Sequence, residues 1–205
     1  MCRWIETIAL SEGNLINMDY HFKRIQRILE SDAVSVIAAI KERLKLLSYP
    51  SKGYYKLRLL YDRKSLVEFD IVPYRIRTID TFELVEAPHL DYSEKYEDRW
   101  CFEELKKESL FDELIIIQKG KITDTTYSNL LFEKEGEWFT PEQYLLKGTY
   151  REFLLDKEII KEAKITQSNL ASFNQFKLIN AMLSIENSPS YHLDQIHYSK
   201  RSFVE

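Results

Sequence analysis

The sequence predicts a mixed α+β fold in which β-strands dominate the second half of the chain. Three observations support this prediction. Apolar residues recur at helical spacing in two early segments. Short β-prone runs alternate with turn residues between Phe111 and Pro141. A chain of 205 residues, 44% of them hydrophobic, can bury a substantial core as one domain or as two closely packed small ones.

The first part of the chain is predicted to be a small module of helices and strands. Trp4 to Leu10, followed by the turn residues Glu12-Gly13-Asn14, indicates an N-terminal hairpin. A helix is expected to begin near Asp19, and a second one to run from about Val34 to Leu47. The β-prone segments that follow are residues 54–61, 66–72 and 74–84.

A domain boundary is predicted at Ala87-Pro88-His89, because proline disfavours a helical conformation in the residue before it. The chain is therefore divided into a small α/β domain (1–86), a linker (87–94) and a larger β-rich domain (95–205). The elements predicted for the larger domain are a helix at about 98–108, an antiparallel meander at 111–141, a helix opening at 148, a strand at 160–165, a short helix at 168–173, a strand at 176–182 and a polar tail after 189.

Composition excludes several classes of function. The formal net charge of −4 argues against a general binder of nucleic acids or anionic membranes. The apolar runs fall short of the roughly 18 residues that span a bilayer, and Arg3 and Glu6 stand where a signal peptide is apolar, so we expect a cytoplasmic protein. Cys2 and Cys101 cannot form a disulfide framework, and the four histidines lack ligand spacing, so no metal site is predicted.

Several polar residues, widely separated in the sequence, are candidates for a functional site. Each has a plain structural explanation when it is taken alone: Arg24 and Lys95 as solvated charges, Asp124 as part of a turn, and Gly148-Thr149 as a helix start. Asn129 joins Asp124 at the centre of the meander. Their common order along the chain is the stronger observation.

In that order, these residues resemble the class IV aminotransferase family, the pyridoxal-phosphate enzymes of fold type IV. The resemblance runs through nearly the whole chain. The segments that carry it are Ile5-Glu6-Thr7-Ile8, His21 to Ile25, Lys95, Phe111 to Leu114, Asn129 to Phe132, Trp138 to Pro141 and Leu146 to Arg151. The Asn129 block, with the Thr-Pro and Gly-x-x-Arg segments that follow it, is the most specific part.

The resemblance implies pyridoxal 5′-phosphate as the cofactor and assigns roles around it. Lys95 stands at the place of the Schiff-base lysine, whose amine also moves protons. Asp124 stands where the family generally has a glutamate that keeps the ring nitrogen protonated, and Asn129 would brace the turn around it.

The same resemblance assigns residues to the phosphate and to the substrate. Arg24 would supply a cation for the phosphate, and the helix start at Gly148-Thr149-Tyr150 would supply N–H donors, with Ala181 adding to that shell. Arg58 and Arg63 are candidates for holding a substrate carboxylate.

Within the family, the chain looks most like the aminodeoxychorismate lyases. This likeness implies conversion of 4-amino-4-deoxychorismate to 4-aminobenzoate and pyruvate in folate synthesis, by a homodimer acting on a small amino substrate. Two alternatives stay open: an aminotransferase acting on branched-chain or D-amino acids, and a non-catalytic family member that serves as a binding module.

Overall fold

The computed structural model describes the backbone of residues 2–202 and the side chains of residues 2–198. Contacts between Cα atoms divide the chain into two compact units. The first unit is Met1–Ile76 with Glu94–Asp98, and the second is Arg77–Ser93 with Arg99–Glu205. The described residues include no helix that is both long enough and apolar enough to span a membrane.

The first unit is an antiparallel sheet of four strands with two helices. Its elements are β1 (Trp4–Ser11), β2 (Asn14–Leu15), α1 (Met18–Leu29), α2 (Ala33–Lys45), β3 (Tyr54–Tyr61) and β4 (Leu66–Pro73). The strand order is β2-β1-β3-β4. The apolar stripes of both helices pack with Ile8, Leu57 and Leu59 of the sheet into one core, as the helical spacing predicts.

The segment around Lys95 joins the first unit by pairing with the free edge of β1. The Ile5 amide donates to the Lys95 carbonyl at 3.0 Å, and the Glu97 amide donates to the Arg3 carbonyl at 3.0 Å. A β-bridge links Trp4 to Tyr96 between these two bonds. The prediction that the larger domain begins at 95 is therefore wrong for this segment, because its backbone partners lie on the N-terminal strand.

The second unit is built on a sheet of nine strands. Its elements are β5 (Phe82–Glu86), α3 (Trp100–Lys107), β6 (Glu113–Gln118), β7 (Lys121–Thr125), β8 (Asn129–Lys134), β9 (Glu137–Pro141), α4 (Thr149–Asp156), β10 (Lys161–Ala163), β11 (Gln175–Ile179), β12 (Ser190–His192) and β13 (Ile196–Ser202). The main strand order is β10-β9-β8-β7-β6-β5-β13, and β11 pairs with both β8 and β12. The mixed α and β content predicted from the sequence is confirmed.

The meander predicted at 111–141 is present as strands β6 to β9. Two of its turns adopt left-handed backbone conformations, with φ of 51° and 74° at Lys119-Gly120 and of 54° and 81° at Glu135-Gly136. Glycine tolerates this conformation without steric cost, which explains why these two dipeptides end the strands where the sequence predicts turns.

Two other predictions are corrected by strand pairing. Residues 74–81 form no strand in the described chain, and β5 belongs to the second unit because it pairs in parallel with β6 and β13. The small domain therefore ends at Ile76 and not at Glu86. The tail after Pro189 contains β12, which pairs with the nearby β11, and β13, which pairs with β5 more than 100 residues earlier in the sequence.

Candidate active site

A fully buried ionic cluster lies between β1 and α1 in the first unit. Glu6, His21 and Arg24 are 0%, 1% and 2% exposed, respectively. The Glu6 carboxylate accepts hydrogen bonds from Arg24 Nε at 2.7 Å, from Arg24 Nη2, and from His21 Nδ1 at 2.5 Å. His21 and Arg24 are three residues apart on α1, so both side chains reach the same carboxylate on β1.

The charges of this cluster are set by burial and by mutual contact. Burial alone would raise the pKa of Glu6, but the Arg24 charge and the bonds from His21 and Arg24 lower it to about 2. Burial lowers the pKa of His21; the hydrogen bond and the charge of Glu6 oppose this effect, and the positive charges of Arg24 and Lys95 add to it. Burial and the Glu6 charge raise the pKa of the Tyr61 phenol. At neutral pH the cluster therefore holds an ionised Glu6, a charged Arg24 and a neutral His21.

Lys95 is carried by a segment that is tied to β1 and β3 through both of its flanking glutamates. The Trp4 indole donates to Glu94 Oε2 at 2.6 Å. Glu97 forms ion pairs with Arg3 at 3.5 Å and with Arg58 at 3.6 Å. Together with the backbone bonds to β1, these contacts fix the position of the Lys95 backbone, from which the side chain extends.

Both arginines predicted to bind a substrate carboxylate already have acidic partners within the first unit. Arg58 contacts Glu68 at 3.1 Å as well as Glu97. Arg63 is more than half exposed and pairs with Asp32 at 3.4 Å. Their assignment to the substrate stays a prediction, and either arginine would have to exchange these partners to take it up.

The buried Glu6 predicts a specific acid sensitivity of the fold. Because its pKa is lowered from 4.5 to about 2, its stabilising effect is complete above pH 4.5 and is lost as the pH falls through 2. The shift corresponds to about 3 kcal/mol of unfolding free energy. Urea unfolding between pH 5 and pH 2 is expected to show this loss in the parent protein and not in Glu6→Gln. Equal pH slopes below 4.5 for the two proteins would contradict the assignment.

In the second unit, Asp124 is a buried carboxylate that accepts three hydrogen bonds from the protein. Its Oδ1 accepts from Asn129 Nδ2 at 2.8 Å, and its Oδ2 accepts from the Leu145 and Leu146 amides at 3.0 and 2.9 Å. Burial outweighs these bonds and raises the pKa of Asp124 to about 6. Asp124 therefore holds the loop before α4 while it remains mostly ionised at neutral pH.

Asn129 connects Asp124 to the start of α4. It lies opposite Asp124 in the β7–β8 pairing, and its amide also donates to the Leu146 carbonyl at 3.0 Å. A Cβ placed on Gly148 would lie 1.9 Å from Asn129 Oδ1, so the loop can pass this close only because residue 148 has no side chain. The structure thus brings Asp124, Asn129 and Gly148 together, although they span 25 positions of sequence.

Three further residues of the second unit are predicted to bind the phosphate: Thr149, Tyr150 and Ala181. Thr149 is buried in the first turn of α4. The Tyr150 hydroxyl instead accepts from the Ile185 amide at 3.1 Å and its ring lies in the core, so its side chain is a packing group here. Ala181 lies in a tight turn that Asn180 ties to Ser128 at 3.1 Å.

The sequence patterns did not indicate that Glu6 and Tyr61 belong to this cluster, or that His21 interacts with Glu6. His21 and Arg24 are three residues apart and therefore share a helix face, but no sequence pattern connects that face to Glu6 on the first strand. A charged residue at an inward position of an otherwise apolar strand was the available signal, because charges are rarely fully buried unless they are paired.

Comparison with known proteins decides the family. The sequence profile described as amino-transferase class IV matches residues 95–186. An uncharacterised protein of Haemophilus influenzae is 32% identical over 181 residues, which is 86% of this chain and 96% of that protein. The chain belongs to the class IV aminotransferase family. It is therefore an enzyme of this kind, and its cofactor is pyridoxal phosphate.

Solved structures agree with this membership. A Haemophilus somnus protein, provisionally named a 4-amino-4-deoxychorismate lyase, superposes with a TM-score of 0.78 at 32% identity, over 89% of this chain and 97% of that one. A Mesorhizobium loti protein, provisionally named an amino-acid aminotransferase, has a TM-score of 0.72 over 97% of this chain and 100% of that one. At 18% identity, the second likeness shows the class IV fold alone.

Each unit, taken by itself, holds groups whose chemistry suits a part of the cofactor. In the second unit, the N-cap residue of α4 is Gly148, which provides no side-chain cap, so the first N–H groups of the helix can face an anion. A carboxylate has about four acceptor positions, and Asp124 uses three of them for protein donors, which leaves one for a protonated ring nitrogen. Within the first unit, Lys95 offers an amine and Arg24 a guanidinium, the kinds of group that bind the aldehyde and the phosphate of this cofactor.

Proposed function

We propose that this chain is a 4-amino-4-deoxychorismate lyase. The observation that carries the proposal is the match to the Haemophilus somnus protein, because it covers 97% of that chain at 32% identity. The reaction breaks the ether bond between the ring and the enolpyruvyl group and removes one ring proton. The product 4-aminobenzoate becomes aromatic, and the released enolpyruvyl group takes up a proton to become pyruvate. The atoms balance without any co-substrate.

In this proposal, pyridoxal phosphate withdraws electrons from the carbon that carries the substrate nitrogen. Lys95 would hold the cofactor through Nζ, and the same amine would take the proton from that carbon. The backbone bonds from β1 to the Lys95 segment limit the directions in which this amine can reach.

The remaining residues hold the cofactor. Arg24 and the first N–H groups of α4 are proposed to bind its phosphate. Asp124 is proposed to accept from the ring nitrogen, with Asn129 and the Leu145 and Leu146 amides fixing the carboxylate in place. An aspartate is one methylene shorter than the family's usual glutamate, so it would have to lie closer to the ring nitrogen or reach it through a water molecule.

A turnover assay separates this proposal from aminotransfer. Purified enzyme loaded with pyridoxal phosphate is expected to release pyruvate and 4-aminobenzoate from 4-amino-4-deoxychorismate in equal amounts, with no 2-oxo acid added. The same preparation is tested with branched-chain and D-amino acids, each paired with 2-oxoglutarate. Amino-group transfer in those mixtures, without pyruvate release from the chorismate derivative, would overturn the lyase assignment in favour of an aminotransferase.

The proposed activity implies a metabolic pathway, and the family resemblance implies an oligomeric state. Its product, 4-aminobenzoate, would place the enzyme in folate synthesis. We also propose a homodimer as the working form, as the family resemblance implies.

A further inference from the structure

The cluster around Glu6 contains a histidine with no direct role in the proposed chemistry. His21 donates to the same carboxylate oxygen, Glu6 Oε2, that receives Arg24 Nη2. An ionised carboxylate can only accept hydrogen bonds, so the proton of this bond must lie on His21 Nδ1. The imidazole is neutral, and its Nε2 is therefore a lone pair.

The second ring nitrogen of His21, Nε2, has no hydrogen-bond partner among the described residues. Within the described part of the chain, His21 Nε2 and the Tyr61 hydroxyl are both buried without a hydrogen-bond partner. His21, through Nδ1–H, is therefore a neutral hydrogen-bond donor to the Glu6 carboxylate.

The geometry of the three side chains indicates what this donor controls. Arg24 meets Glu6 through two N–H groups on one edge of the guanidinium, which fixes the plane of the group. That plane stays fixed only if the carboxylate does not rotate about its last bond. His21 opposes this rotation at Oε2, from a residue one helical turn before Arg24.

We propose that His21 is a positioning residue for Arg24, acting through Glu6 as a neutral Nδ1–H donor. This inference rests on the proposed contact between Arg24 and the cofactor phosphate. Glu6 cancels most of the charge of Arg24, so binding of a phosphate depends on the orientation of the guanidinium group. Loss of the His21 donor leaves every formal charge unchanged and affects only this orientation.

The test compares two ligands that differ by the phosphate. Dissociation constants for pyridoxal 5′-phosphate and for pyridoxal are measured by absorbance and fluorescence titration of the apoenzyme. His21→Leu is expected to weaken binding of the phosphate ester about 10-fold, the usual lower effect of losing an outer-shell partner, and to leave pyridoxal binding unchanged. An equal loss for both ligands would show a general structural role and overturn the proposal.

Two amide variants keep the test valid if His21→Leu folds poorly. The amide nitrogen of asparagine can take the place of Nδ1, whereas the longer glutamine places its amide near Nε2. His21→Asn is therefore expected to restore the preference for the phosphate ester, and His21→Gln to behave like His21→Leu. The same affinity ratio in both amide variants would contradict the Nδ1–H role.

Arg24→Met separates this inference from the proposed phosphate contact on which it rests. If Arg24→Met keeps the preference for the phosphate ester, Arg24 does not bind the phosphate, and the proposal fails at that step. If Arg24→Met loses the preference but His21→Leu keeps it, the positioning role of His21 alone is overturned. Neither readout depends on lyase turnover, so failure of the proposed reaction remains distinguishable.

Discussion

Replacement of Lys95 with alanine is expected to abolish turnover, with a loss of at least about 10⁴-fold. A positioned general base alone contributes about 10²- to 10⁴-fold, and Lys95 is proposed to supply both the base and the covalent attachment of the cofactor. The segment that carries it is held by backbone bonds to β1, which the substitution leaves intact. We therefore expect a folded protein without activity.

Covalent attachment of the cofactor to Lys95 can be measured independently of turnover. Parent protein mixed with pyridoxal phosphate and then reduced with borohydride is expected to carry the cofactor on the peptide that contains Lys95, as seen by mass spectrometry. Lys95→Ala is expected to lose this label, and so is Lys95→Arg, because a guanidinium keeps the charge but does not deprotonate.

Lys64→Ala removes an exposed lysine of the same unit and serves as the matched control, which is expected to keep both label and turnover. Turnover in Lys95→Ala above about 1% of the parent rate, the most that loss of a typical general base would leave, would show that Lys95 does not carry the chemistry.

Replacement of Gly148 with alanine is expected to cost about 3 kcal/mol of unfolding free energy and to weaken cofactor binding. The new Cβ would lie 1.9 Å from Asn129 Oδ1 and 3.1 Å from its Cγ, so the asparagine must move. That movement would break its bonds to Asp124 and to the Leu146 carbonyl. Overpacking and a lost buried hydrogen bond each cost about 1–3 kcal/mol.

A double-mutant cycle distinguishes this clash from a general effect on the helix start. Asn129→Ala removes the atoms that the new methyl group would meet, so Gly148→Ala is expected to cost much less in that background. Urea unfolding of the parent, both single variants and the double variant gives the coupling energy. Additive effects, or a Gly148→Ala protein as stable as the parent, would show that the close approach to Asn129 does not decide the residue at 148.

Much of the fold follows from local patterns. The strands of the meander end at turns whose left-handed backbone suits glycine, and the stripe of α1 that contains Ile25 packs in the core as its spacing predicts. Local patterns do not indicate which strands pair at long range. The assignment of β5 to the second unit depends on parallel pairing with β6 and with β13, and β13 lies more than 100 residues later.

The candidate site shows the same division. The order of Arg24, Lys95, Asp124, Asn129 and Gly148 along the chain was enough to indicate the class IV aminotransferase family, because these residue types at these positions match its motifs. The roles predicted for the individual residues stay predictions. The sequence does not indicate what holds each side chain, since hydrogen bonds between distant segments leave no periodic signal.

The sequence by itself therefore determined the family, the cofactor and the helices and turns that depend on neighbouring residues. Only the tertiary structure decided that the Lys95 segment pairs with β1, that Glu6 joins His21 to Arg24, and that Asp124 is held by the loop at 145–146. The physical reason is common to all three cases. A buried charge or an unpaired strand edge needs a hydrogen-bonding partner. The tertiary fold, and not the local sequence, determines which residue lies close enough to be that partner.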